Sequence, residues 1–235
     1  MKIRERMGLG LAVASITLYA ALASPALAQK KQDERLANSA KVLEEIVSSD
    51  KGLDKRILDK ADCVLVFPSV KKVAVGFGQS YGRGVLVCRK GAKHDGSWGA
   101  PVMYALDQSG LGVQLGSTAT DFVLVVVSEK GVEQIRNGKT KLGSNAAAAA
   151  GPTGAQATGY NAEAMKVDVL TYSRSKGLFA GVSLEGAGID VDKDANKVVY
   201  GKDVTSSDIL DGKESMPESA KPLVNYLDKT SPTRK

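Results

Sequence analysis

The sequence predicts an α+β fold, a curled antiparallel sheet or barrel-like β core with flanking helices, and three observations predict it. Helical periodicity over Asp33–Ser49 gives way, after Ala61, to apolar runs of strand length. The runs Cys63–Phe67 and Phe122–Val127 are apolar on both faces and so need cover on both faces. Gly76, Gly78, Gly82 and Gly84 punctuate the strands between, as glycines do where a sheet bends sharply.

The elements follow in chain order. Residues 1–28 read as a secretory signal peptide: Lys2, Arg4 and Arg6 are basic, Gly8–Ala23 is uncharged and apolar, and Ala26-Leu27-Ala28 supplies the small residues of a cleavage site. The apolar stretch is 16 residues, short of the roughly 20 that span a bilayer. The working chain is then expected to begin at Gln29, exported to the periplasm or peripheral to the envelope membrane. Residues 29–212 read as a single domain and 213–235 as a weak helix and tail.

In the first helix Leu36, Ala40, Leu43 and Val47 follow the i, i+4, i+7, i+11 stripe, with Ile46 beside it. Leu53–Ala61 reads as a shorter helix. Strands are expected at 63–67, 73–79 and 83–88, with Pro68-Ser69 turning the chain, and further strands at 101–106, 111–115 and 122–127. Ser128 is placed to cap a short helix ending at Arg136. The Ala/Gly-rich segment 145–159 is either a small-residue strand or a close-packed loop. Late strands are expected at 167–172, 178–184, 188–191 and 197–200, with Asp192–Asn196 as the turn between the last two. Ser206–Leu210 reads as a helical turn. Pro217–Leu227 reads as a weak helix interrupted by Pro222, and the tail from Thr230 as disordered.

Composition excludes several functions. Removing the leader lowers the net charge from +6 to about +4, mildly basic and no indication of nucleic acid. The sole histidine, His94, lies in the polar turn Lys93-His94-Asp95-Gly96 with no G-x-S-x-G elbow, which speaks against a catalytic triad. Asp190, Asp192 and Asp194 start like a calcium loop, but Ala195 stands where that loop needs Gly and Gly201 where it needs Glu. The Gly76–Gly84 cluster lacks phosphate-loop spacing and sits between strands. No cofactor, metal or catalytic residue is expected.

The blocks FPSVKK (67–72), GQSYGRGVLV (78–87), GLGVQLGSTATDFVLVV (110–126), AAGPTG (149–154), YSRSKGLFAGVSLEG (172–186) and YGKDVTSSDIL (200–210) occur in that order, and through them the chain resembles the SYLF-domain family. The resemblance runs from about Asp33 to Leu210. It implies a binding domain rather than an enzyme, with phospholipid membranes as the partner of secreted bacterial members and actin filaments as a partner of some eukaryotic ones. It also implies membrane contact through an amphipathic N-terminal helix and nearby basic residues. Two departures matter. Ala155 follows Gly154 where the family often has Arg, and the helix is not basic, with Asp33, Glu34, Glu44 and Glu45 against Arg35 and Lys41. A helix lying on anionic lipid usually has a cationic polar face. The stripe Leu36, Leu43, Ile46, Val47 therefore reads as a face docked on the core, with membrane insertion as the alternative.

Electrostatics gives the best local signal. Cys63–His94 contains no Asp or Glu but holds Lys71, Lys72, Arg83, Arg89, Lys90 and Lys93. If the first three strands form a meander, Lys71, Lys72, Arg89, Lys90 and Lys93 gather at one end and Arg83 lies at the other. That patch is the candidate lipid-binding site. Export favours a disulfide between Cys63 and Cys88, whereas the meander puts them at opposite ends of the sheet; the balance leans to the bond. The expected function is non-enzymatic binding to the anionic phospholipid surface of the cell envelope. The alternative is a structural or protein-interaction module with an envelope protein as partner.

Overall fold

The computed structural model describes residues 10–73, 79–109, 119–153, 161, 166–175, 178–181 and 184–234. The first helix, α1 (Gly10–Val47), starts well before the expected Asp33 and runs unbroken through Pro25. Among its described side chains, from residue 25 on, the packed face runs through Gln32, Arg35, Leu36, Ser39, Val42, Leu43 and Ile46, while residues 25–27 are exposed. The short α2 (Lys55–Leu58) is capped by the Asp54 carboxylate, which accepts from the Arg56 N–H.

The strands are β1 (Cys63–Val73), β2 (Gln79–Cys88), β3 (Val102–Ser109), β4 (Thr120–Val126), β5 (Thr140–Lys141), β6 (Ala148–Ala150), β7 (Val169–Ser175), β8 (Leu178–Gly181) and β9 (Gly188–Val191). The sheet order is β5-β9-β3-β2-β1-β4-β7-β6, with β8 also on β7. The pairings are antiparallel except β6 with β7. The fold is therefore α+β with a strongly curled, half-barrel sheet, as the sequence predicts.

Both faces of the sheet are covered, which explains the non-alternating strands. Val64 and Val66 of β1 join α1, α2 and the C-terminal helix in one core, while Cys63, Leu65 and Phe67 enter a second core on the opposite face. The second core is closed by Val132 and Ile135 of α3 (Glu129–Arg136) and by Ile209. The predicted cap of α3 is present: the Ser128 hydroxyl accepts from the Gly131 N–H. Curling depends on close approach at Gly84, where an added Cβ would sit 2.4 Å from the Phe67 ring and from the Val66 carbonyl oxygen.

Four expectations are corrected. Pro68-Ser69 is a bulge inside one long strand, not a turn between two. The register of β1 shifts between Val66 and Lys71, and the Ser69 N–H leaves the ladder to donate to Asp121 Oδ1 at 2.8 Å. Proline, with no N–H to give, is accommodated at such a bulge. The predicted meander is therefore a β1–β2 hairpin. Residues 197–200 are not a strand but the end of a helix, α4 (Lys193–Tyr200), which Asp192 starts by accepting from the Ala195 N–H and Gly201 ends at φ 69°. A helix α5 follows at Ser206–Leu210, as expected. The last helix, α6 (Lys221–Thr230), is preceded by a 3-10 turn at Glu218–Ala220. Pro222 lies in the first turn of α6 and starts it rather than interrupting it. The tail is ordered through Arg234, whose guanidinium reaches Asp62 at 2.8 Å.

The segment Ala148–Ala150 is a strand, which resolves the first half of the Ala/Gly-rich question; 154–159 lies outside the described residues. The next residue, Gly151, must be small, because a Cβ there would fall 2.1 Å from the Tyr172 ring. The expected strand 111–115, Gly76 and Gly78 also lie outside the described residues.

Candidate functional site

The β1–β2 hairpin decides where the candidate residues go. At one end of the ladder Cys63 faces Cys88 and at the other Lys71 faces Tyr81 and Lys72 faces Ser80. Eight residues of strand at about 3.3 Å each put roughly 26 Å between those ends. Lys71 and Lys72 are thus apart from Arg89, Lys90 and Lys93, and the five do not form one patch. Arg83 is partway along β2 and pairs with Asp192 at 2.9 Å, which also holds Arg35 of α1 at 3.2 Å. The same register that splits the patch brings the cysteines together, and Cys63–Cys88 is a disulfide.

Arg89, expected to face lipid, is buried. Its guanidinium stacks on Trp98, 4.4 Å from the ring centroid, and donates to the carbonyls of Ala61, Gly96, Ser231 and Pro232 and to the Ser231 hydroxyl. Burial lowers its pKa from the ordinary value, and nearby Arg234 acts in the same direction. Trp98 joins the cluster by donating its indole N–H to the Ser231 carbonyl at 2.9 Å. The sequence reading missed this role. No local signal marks it, since three of its five acceptors, on Ser231 and Pro232, are supplied by a tail more than 140 residues away.

On this anchor stands the turn Lys90–Ser97. It is closed by Lys90 N–H to Ser97 O, Gly96 N–H to Lys90 O and His94 N–H to Gly91 O. Gly91 takes φ 91° and His94 φ 50°. Lys90 and Lys93 are exposed, and neither has an ion-pair partner among the described residues. His94 Nδ1 lies 3.1 Å from the Arg89 carbonyl, so that nitrogen carries the proton. Beside the turn is a cleft of ≈ 500 Å³, walled by the turn, by Val132 and Arg136 of α3 and by the Leu210–Gly212 end of α5.

The candidate membrane stripe is inside the protein: Leu36, Leu43 and Ile46 are fully buried and Val47 is half-buried against the same core. Among the described residues no group of three or more His, Cys, Asp or Glu is arranged to hold a metal ion. Likewise no described helix is long and apolar enough to cross a membrane.

Fold and site together define a helix-covered half-barrel domain with a cationic surface turn. A family model described as "Ysc84: Las17-binding protein actin regulator" matches residues 107–230, and the chain belongs to this Ysc84, or SYLF-domain, family. Protein YSC84 of Saccharomyces cerevisiae is 35% identical over 187 residues, 78% of this chain and 39% of that protein. LAS seventeen-binding protein 3 of the same yeast is 33% identical over 202 residues, 85% of this chain and 43% of that protein. The human SH3 domain-containing YSC84-like protein 1 is 34% identical over 197 residues, 81% of this chain and 56% of that protein. The chain thus spans between about two fifths and three fifths of these relatives. The family model and LAS seventeen-binding protein 3 are both described by a binding role, to Las17.

Proposed function

We propose that this chain is a non-enzymatic binding domain, exported to the cell envelope, that engages anionic phospholipid surfaces through the turn carrying Lys90 and Lys93. The observation that carries the reading is this pair of exposed lysines, unpaired among the described residues, on a turn whose base is fixed by buried Arg89. A rigid base removes much of the entropy cost of presenting charge to a surface. Each such lysine contributes about 1 kcal/mol near an anionic bilayer, a factor of roughly five in affinity. Export is supported by the disulfide and by the described side chains of α1, among which the buried ones begin at Gln32, beyond a cleavage after Ala28.

The test is vesicle flotation with and without anionic lipid. The Lys90→Glu, Lys93→Glu protein should lose binding to anionic vesicles while melting as wild type does, and Lys71→Glu, at the far end of the ladder, should change little. Salt should weaken wild-type binding as the Debye length falls from about 10 Å at 0.1 M to about 3 Å at 1 M. If the double variant still floats like wild type, the turn is not the contact. A protein partner is the second reading, favoured by the Las17-binding description of the family. It expects no flotation in the absence of that partner.

A further inference from the structure

The cleft beside the Lys90–Lys93 turn shares only Lys90 with that surface contact, and its make-up is that of a ligand site. Its ≈ 500 Å³ lies inside the roughly 300–1,000 Å³ range of small-molecule pockets. Its floor is apolar, from Cys88, Val132 and Leu210, the first two nearly inaccessible. Its polar lining is biased to cations: Lys90 and Arg136 against a single carboxylate, Asp211, with His94 beside them. Arg89 also lines it, but its guanidinium is committed to Trp98 and Ser231. His94 spends Nδ1 on the Arg89 carbonyl, which fixes the ring on the cleft wall and leaves Nε2 as its second polar atom.

The arrangement can also accept an anion without stranding a charge. Arg136 is ion-paired with Asp211 at the cleft edge. Lys213 stands 3.9 Å from the other oxygen of Asp211 and 2.7 Å from Asp208. If Arg136 turns to an incoming anion, Asp211 keeps Lys213 as its cation. Guanidinium binds phosphate through two parallel N–H donors, a geometry an ammonium cannot reproduce.

We propose that this cleft takes the phosphate-ester head of one anionic amphiphile, with Arg136 and Lys90 donating to the phosphate, His94 on the wall beside it, and the first methylenes laid on the apolar floor of Cys88, Val132 and Leu210. This deepens the membrane reading and rests on it for the source of the ligand. A lipid head and a free phosphate share the same chemistry, and the apolar floor favours the lipid.

The experiment titrates the full chain, disulfide intact, by calorimetry and by side-chain NMR of His94 and Arg136. The probes are dihexanoyl phosphatidic acid below its micellar concentration, glycerol phosphate, inorganic phosphate and dihexanoyl phosphatidylcholine. Saturable binding of the phosphatidic acid is expected, at least tenfold tighter than glycerol phosphate and tighter still than inorganic phosphate. Arg136→Gln should weaken it at least tenfold, with partial recovery in Arg136→Lys, and both variants should keep the wild-type melting temperature. Should either variant melt early, displacement of the wild-type His94 and Arg136 signals by each probe decides instead. Equal affinity for inorganic phosphate and the short-chain lipid overturns the amphiphile assignment. Absence of saturable binding by any probe overturns the site. Flotation of the same protein separates the two readings: a silent cleft with intact turn-dependent flotation sinks this inference alone, and a binding cleft without flotation sinks the surface contact alone.

Discussion

Arg89 turns its charge inward, on four carbonyl oxygens from three segments and on the face of Trp98. Truncation would leave those buried acceptors unpaired, at about 1–3 kcal/mol for each group not rescued by water. We expect Arg89→Ala to lower stability by about 3 kcal/mol, read as a fall in urea midpoint, and to speed amide exchange in Ser231–Arg234. Arg89→Lys should recover little, because one ammonium cannot reach acceptors spread over a planar fork. An unchanged midpoint would show that the buried arginine is dispensable. A second residue, Asp168, ties three elements together. It accepts from the Ser128 hydroxyl at 2.6 Å and from the Ala147 N–H at 2.8 Å, and Lys130 stands 3.4 Å away. Burial works to raise its pKa, but those hydrogen bonds and Lys130 outweigh it and hold the carboxyl below its ordinary value. A depressed carboxylate contributes stability that is fully present above the unfolded-state value of about 3.9 and is lost as pH falls through the folded one. Asp168→Asn should therefore cost stability at pH 7 and flatten the loss of stability as pH falls below about 4. Parallel acid-unfolding curves for the two proteins would count against this role.

Among the elements, α1 carries the sharpest consequence. Its stripe packs against α4, α6 and the first strands, and two ionic contacts hold its polar edge, Arg35 to Asp192 and Glu45 to Arg174. Docked in this way, the helix presents no apolar face to a membrane along the stripe. Ile46→Asp places a charge at a fully buried site and should cost about 4 kcal/mol or more. Ala37→Asp, on the exposed side of the same helix, should stay within about 0.5 kcal/mol. Thermal melts distinguish the two. If Ile46→Asp melts as wild type does and only vesicle binding falls, the helix works as an inserted anchor and not as part of the core.

At the scale of the whole molecule, one covalent bond and one chain end secure the same region. The disulfide joins the ends of β1 and β2, and the tail from Asp228 to Arg234 crosses the same end of the sheet through Trp98, Arg89 and Asp62. Closing a loop with a sequence separation of 25 removes unfolded-state freedom worth about 3 kcal/mol. Intact mass of exported protein, unreduced, should correspond to a chain starting at Gln29 and lighter by two hydrogens than its reduced form. Reduction should lower the denaturation midpoint. Two reactive thiols in the unfolded, unreduced chain would exclude the bond, and a mass including residues 1–28 would exclude processing.

The sequence by itself determined what depends on neighbours along the chain. Apolar strands needing cover on both faces, the Ser128 cap, strand Gly188–Val191, the helical turn Ser206–Leu210 and the buried stripe Leu36–Leu43–Ile46 were all legible, because periodicity and capping act within a few residues. The eight-residue helix Lys193–Tyr200 was misread as turn and strand because the β-branched Val198-Val199 outweighed the cap at Asp192 and the stop at Gly201. The candidate site was legible only in its charge. Whether Lys71 and Lys72 join Lys90 and Lys93 depends on whether Pro68-Ser69 turns the chain or bulges, and that was decided by the Ser69 N–H finding Asp121 on β4, 52 residues away. Whether Arg89 faces water or carbonyls was decided by a tail whose local sequence shows no preference for order. Such contacts join distant parts of the chain, so only the tertiary structure could reveal them.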